Sequence, residues 1–233
     1  MCGRFVRMAS AQDIVDAFGA SGDSVSVPPS YNVAPSHPIL ALREERAGRE
    51  AFVPTWGFQA KWKGPSSLVI NARIEGVHDR PLFRNLVATH RCVIPLSGYY
   101  EWVSNADTLR ILGHPSKKVP YYITSSSTES GSAITLWAAG LWRSEGDMAF
   151  AVMLTTTAVQ SIATVHDRMP VLLFEEQIDS WLSSSATVDW EALARQETCD
   201  LVATRVGNSV NSTRNDSSDL LIPYHGDEQE RLF

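Results

Sequence analysis

Cys92-Val93-Ile94-Pro95-Leu96-Ser97-Gly98-Tyr99-Tyr100-Glu101-Trp102-Val103 is an apolar run, rich in β-branched and aromatic side chains and broken by turn residues. Such a composition reads as strand. Working outward, the same pattern recurs before it at Pro38–Leu42, Phe52–Phe58 and Leu68–Ala72, and after it at Tyr121–Thr124, Ile134–Trp142, Ala149–Thr155 and Leu201–Val206. Helical signals are fewer and shorter. Ser10–Phe18 has a cap in Ser10, a capping-box residue in Asp13, a shared face in Ile14 and Phe18, and a stop in Gly19. Pro81–His90 places proline in a first helical turn. Thr157–Thr164, Glu175–Leu182 and Asp189–Gln196 complete the set. Many strands with a few short helices, without regular alternation, predict an α+β fold with a mainly antiparallel, β-barrel-like sheet.

The chain has 233 residues, room for one substantial domain. Neither a repeat nor a linker is visible. One domain is expected over residues 1–225, followed by a polar C-terminal tail at 226–233. With 44% apolar and 20% charged residues the composition is that of a globular enzyme. A net charge of -6 argues against nonspecific coating of nucleic acid, but not against a local basic cleft. Arg4, Arg7, Arg73, Arg80, Arg84 and Arg91 all fall in the first half, whereas the acidic excess lies in the last third. Three cysteines without a C-x-x-C pair predict neither a disulfide framework nor a zinc site. No signal core and no membrane-length run is present, so the expected location is cytoplasmic, nucleoid-associated when on DNA.

The unusual chemistry lies at the start. Removal of Met1 before Cys2 would expose an α-amine with pKa about 7.7–8.0 beside a thiol with pKa about 8.5. This 1,2-aminothiol can attack an amide, with its own amine as base. It can equally condense with an aldehyde to a Schiff base that the thiol closes into a thiazolidine. The residues alone leave both routes open.

Further motifs follow in order. They are Cys2-Gly3-Arg4-Phe5, Tyr31-Asn32-Val33-Ala34-Pro35, Trp56-Gly57-Phe58 and Ile70-Asn71-Ala72-Arg73-Ile74-Glu75. Then come Gly98-Tyr99-Tyr100-Glu101-Trp102, His166-Asp167-Arg168-Met169-Pro170 and Val206-Gly207-Asn208-Ser209-Val210-Asn211. The ordered set resembles the SRAP family, the SOS-response-associated peptidases that shield abasic DNA, from Cys2 to about Asn211. The resemblance implies one compact SRAP-like domain with a basic channel. Its implied partner is single-stranded DNA containing abasic sites. There the processed Cys2 would form a thiazolidine DNA–protein crosslink, with lyase-like Schiff-base chemistry and N-terminal self-processing. No cofactor or metal is expected, because the aldehyde comes with the substrate; no membrane partner is expected, and a monomer is.

The resemblance makes Cys2, Asn71, Glu101 and His166 the catalytic set. An amide at Asn71 can orient the amine and sugar oxygens without adding charge. Glu101 among aromatics would be desolvated and suited to proton transfer, and His166 is a natural proton carrier. Arg4 and Arg73 match positions that grip phosphates, with Arg84 and Arg168 as further candidates. Asn32 and Pro35 would shape the wall near Cys2, and Trp62 would stack on or wedge beside bases. Lys61-Trp62-Lys63, where relatives carry paired tryptophans, and Met169, where arginine is common, depart from the pattern. Cys92 and Cys199 are expected to be buried and inert. The competing readings are an N-terminal-nucleophile amidohydrolase or peptidase, and a non-covalent single-stranded DNA-binding module.

Overall fold

The computed structural model describes residues 2–22, 25–60, 64, 67–103, 118–126, 136–196 and 200–226. The opening run forms two strands, β9 (Arg91–Leu96) and β10 (Gly98–Val103), which belong to different sheets. The bend lies at Ser97-Gly98. Gly98 has φ +155, and a Cβ there would stand 2.4 Å from the Tyr122 ring. Tyr122 is fixed over the glycine by donating its hydroxyl to the Ser97 carbonyl at 2.6 Å. Only a residue without a side chain lets the chain turn this corner.

The first sheet has five strands in the order β16-β11-β10-β1-β2, with β1 at Arg4–Arg7, β2 at Ser30–Val33, β11 at Val119–Ser125 and β16 at Leu201–Arg205. The second runs β14-β13-β12-β9-β3-β4, comprising β3 (Ala41–Glu45), β4 (Gly48–Phe52), β12 (Leu136–Glu145), β13 (Met148–Thr157) and β14 (Arg168–Pro170). Short strands β5 (Thr55–Trp56) and β8 (Asn71–Arg73) pair in parallel with β13, and β15 (Leu172–Leu173) pairs with β12. A separate ribbon joins β6 (Phe58–Gln59) to β7 (Leu68–Val69). Pairing is mainly antiparallel, as expected for this α+β chain. Among the described residues the two sheets share one core without joining into a single closed barrel.

Alternation explains the layers. On β9, Cys92, Ile94 and Leu96 face the core shared by the sheets, with Phe5, Tyr99, Ile123 and Met153. Val93 faces a second core, made with Ile14, Leu141, Phe83 and Trp181. The second sheet is therefore covered on both faces, which is why its strands read as continuous apolar runs. On the outer face of the first sheet, Val6 and Tyr100 pack against Val206, Val210 and Leu220 of the C-terminal segment.

Helix α1 (Ala11–Phe18) has the expected cap, with reciprocal bonds between Ser10 and Asp13 and a left-handed Gly19. Helix α2 (Glu175–Leu182) and helix α3 (Trp190–Arg195, capped by Asp189) also form where the sequence places them. Two expected helices do not. Residues 81–90 make successive turns that mix three- and four-residue closures, and the Val87 and Ala88 carbonyls at their end are taken by the Arg91 guanidinium. Thr157 still pairs with Arg168 at the end of β13, leaving 159–166 only short turns. The strand expected over Phe52–Phe58 is interrupted at Pro54 and Gly57, and that over Pro38–Leu42 begins only at Ala41.

Candidate active site

Cys2 precedes β1 and is fully buried in the core between the sheets. Its thiol donates a long bond to the Arg4 carbonyl at 3.8 Å. Burial pushes the thiol far above its ordinary range, and the Glu101 carboxylate pushes the same way. As drawn, the group is a neutral thiol.

Asn71 opens β8 on the opposite sheet. Its amide donates to the Cys2 carbonyl at 2.7 Å. The amide oxygen is buried with no hydrogen-bond partner among the described residues. Trp56 sets this position: its indole donates to the Ile70 carbonyl at 3.0 Å, and its ring meets Phe5 of β1 edge-on at 5.1 Å. The same carbonyl accepts from Met153 of β13. A core aromatic thus braces both the strand after Cys2 and the residue before Asn71.

Glu101 sits in the middle of β10, only 4% exposed. Burial raises its pKa, and the charge of His166 opposes the rise. His166 is partly exposed on the turn before β14. Its Nδ1 accepts the Arg168 backbone N–H at 2.9 Å and lies 3.0 Å from the Asp167 carboxylate. In the neutral ring Nδ1 is then the acceptor, which leaves the proton on Nε2. Electrostatics therefore link Cys2, Glu101 and His166, and a hydrogen bond links Asn71 to Cys2.

Arg4 lies on the other face of β1. Its Nη1 donates to the Asn32 side chain at 2.8 Å and to the Val210 carbonyl at 3.0 Å, and its guanidinium stands 5.9 Å from the Trp102 ring centre. Asn32 is buried, and its amide donates to the Ser212 and Asn215 carbonyls at 3.0 and 2.8 Å. It acts on Arg4 and on the C-terminal loop. Trp102 donates to Asn211 at 2.6 Å. The Trp102–Asn211 bond and the loop's grip on Arg4 have only one sequence signal, the asparagine-bearing Val206–Asn211 motif.

The remaining candidates are scattered. Arg73 is exposed at the end of β8, and Pro35 is half-buried in the turn after β2. Arg84 is exposed on the 81–90 turns, where its neighbours Phe83 and Val87 face the helix-side core. Arg168 is engaged: its fork holds Glu75. Trp62 and Cys199 lie outside the described residues. Cys92 is buried and its thiol is pushed up by burial. Among the described residues no group of three or more His, Cys, Asp or Glu side chains is arranged to hold a metal, and no helix is long and apolar enough to cross a membrane.

Comparison with known proteins places this geometry. The family model described as SOS response associated peptidase (SRAP) matches residues 1–213. The abasic site processing protein YoaM of Bacillus subtilis is 30% identical over 229 residues, covering 95% of this chain and 97% of the relative. The abasic site processing protein YedK of Escherichia coli is 29% identical over 190 residues, 78% of this chain and 79% of the relative. A crystal structure of a Bacteroides thetaiotaomicron protein superposes with a TM-score of 0.76 at 20% identity, over 96% of this chain and all of that one, and shows the same fold.

Proposed function

Because the chain belongs to the SRAP family, we propose that it processes abasic sites in single-stranded DNA by forming a covalent link through Cys2. The relatives YoaM and YedK carry the name abasic site processing protein. The observation that carries the reading is the gathering of Cys2, Asn71, Glu101 and His166 where the two sheets meet.

The chemistry requires Met1 to be removed, which frees the Cys2 amine. That amine adds to the aldehyde carbon of the ring-opened sugar to give a carbinolamine. Glu101, held toward its acid form by burial, protonates the departing hydroxyl, and water leaves to give the Schiff base. The thiol then adds to the imine carbon, its proton passing to the nitrogen or to the Glu101 carboxylate. One C–N and one C–S bond form, and one water is lost. Asn71 offers its free oxygen to the new amine or a sugar hydroxyl. His166 exchanges protons with solvent through Nε2. The Schiff base is also the branch point for lyase-like strand cleavage. Arg4 and Arg73 would hold flanking phosphates, with Asn32 aligning Arg4. The protein would act as a cytoplasmic monomer, with DNA as its partner.

Intact-mass measurement with an abasic single-stranded oligonucleotide tests the reading. The expected species is Met1-free protein plus oligonucleotide minus one water. A heat-stable adduct formed equally by Cys2→Ser would overturn it. Ammonia release from glutamine, without an adduct, would favour the amidohydrolase reading.

A further inference from the structure

Glu75 has no part in the chemistry above, yet it takes both arms of Arg168. Its Oε1 accepts from Nη1 at 2.9 Å and its Oε2 from Nη2 at 2.8 Å. Nη2 also donates to the Thr155 carbonyl at 2.6 Å. The Arg168 side chain is 10% exposed and that of Glu75 47%. A fork-on-carboxylate pair of this kind fixes geometry as well as charge. The hydrogen bond from Arg168 holds the Glu75 carboxyl below its ordinary range.

The topology gives the pair its meaning. Glu75 lies two residues beyond β8, the strand that opens with Asn71. Arg168 begins β14, two residues after His166. The end of β13 runs between them, with Thr155 in register with Arg73 on one side and Pro170 on the other. The ion pair therefore brackets the end of β13 and ties the Asn71 strand to the His166 turn. Arg168 also supplies the backbone N–H that engages His166 Nδ1.

We propose that Glu75 is a positioning residue: by holding the Arg168 fork it fixes the 166–168 turn, and so sets where the His166 imidazole stands relative to Glu101 and Asn71. The proposal rests on the reaction assigned above. It moves Arg168 from phosphate binding to positioning, because both of its Nη atoms are engaged by Glu75 and Thr155 in a side chain that is only 10% exposed. The opposing idea is that Glu75 is a placeholder which a DNA phosphate displaces.

The test is single-turnover crosslinking of Met1-free protein with an abasic single-stranded oligonucleotide. In Glu75→Gln the rate at saturating DNA should fall roughly 10- to 100-fold, the scale of an ångström-sized misplacement. The half-saturating DNA concentration should stay put. Glu75→Asp, which keeps the charge, should recover part of the rate. An unchanged rate in Glu75→Gln would overturn the proposal, and so would tighter DNA binding, which marks a displaced placeholder. Nitrogen NMR of the His166 ring gives a readout independent of activity: the Nδ1 resonance should move in Glu75→Gln. If the wild type forms no adduct, the assigned reaction fails; if His166 is unmoved, the positioning role fails.

Discussion

Two buried polar regions of this protein are built on opposite principles. Around Arg91, which is 4% exposed, the accounts are closed: the guanidinium donates to the carbonyls of Val87, Ala88, Trp181 and Ser183. Two of these carbonyls end α2, where a cation complements the helix dipole. The Trp181 indole closes the set on the Cys92 carbonyl at 2.8 Å. Around Cys2 burial is as deep, but capacity is left over. The Asn71 oxygen has no partner among the described residues, and the thiol bond is long. Satisfied buried groups specify the fold, whereas buried groups with spare capacity are poised for a substrate.

The largest effect should come from Cys2. Cys2→Ser should abolish the stable adduct in intact-mass analysis while leaving thermal unfolding nearly unchanged. Substituting Arg91 should do the reverse. Arg91→Leu strands four carbonyls and should cost about 3–5 kcal/mol in chemical denaturation. The protein that remains folded should crosslink at the wild-type rate. If Arg91→Leu slowed the chemistry in folded protein, the division between the regions would be false.

The contrast also explains what the sequence could reveal. Strands buried on both faces announce themselves, so β9, β12 and β13 are legible from their apolar runs. Helix α1 is legible because its caps are local in sequence. The 81–90 and 159–166 turns are not legible, since mixed three- and four-residue closures leave no signature in residue type and propensity cannot see that Thr157 is held in a sheet. At the site, the Cys2 aminothiol is visible from chemistry alone. Asn71, Glu101 and His166 needed the family resemblance, because their meeting depends on two sheets joining across long separations. The Arg4–Asn32–Val210 link spans 206 residues and has no local signal.

Glu101→Gln sharpens the comparison from the chemical side. Loss of an acid–base group should slow crosslinking about 100-fold or more. It should also stabilise the fold at neutral pH. The folded pKa is raised by burial, so this carboxyl favours the folded state at low pH and loses that contribution as pH rises through the folded value. A glutamine carries no such loss. Denaturation midpoints at acid and neutral pH would show the difference, and a neutral-pH loss of stability would contradict it.

The smallest effect belongs to Glu75, whose sign is opposite. Its folded pKa is depressed, first by the Arg168 hydrogen bond, so its stabilisation is present above the unfolded carboxylate pKa of about 4.3 and is lost as pH falls through the folded value. Glu75 is nearly half exposed, and solvent screening keeps the contribution to about 1 kcal/mol or less. Glu75→Gln should therefore flatten the acid limb of the stability curve, while Glu101→Gln changes the limb above it. In the proposed mechanism the two carboxylates have different tasks: Glu101 would exchange protons with the reacting atoms, and Glu75 would hold the turn that carries His166. If both substitutions altered stability with the same pH slope, Glu75 would behave as a desolvated carboxyl like Glu101 and not as one held by an ion pair.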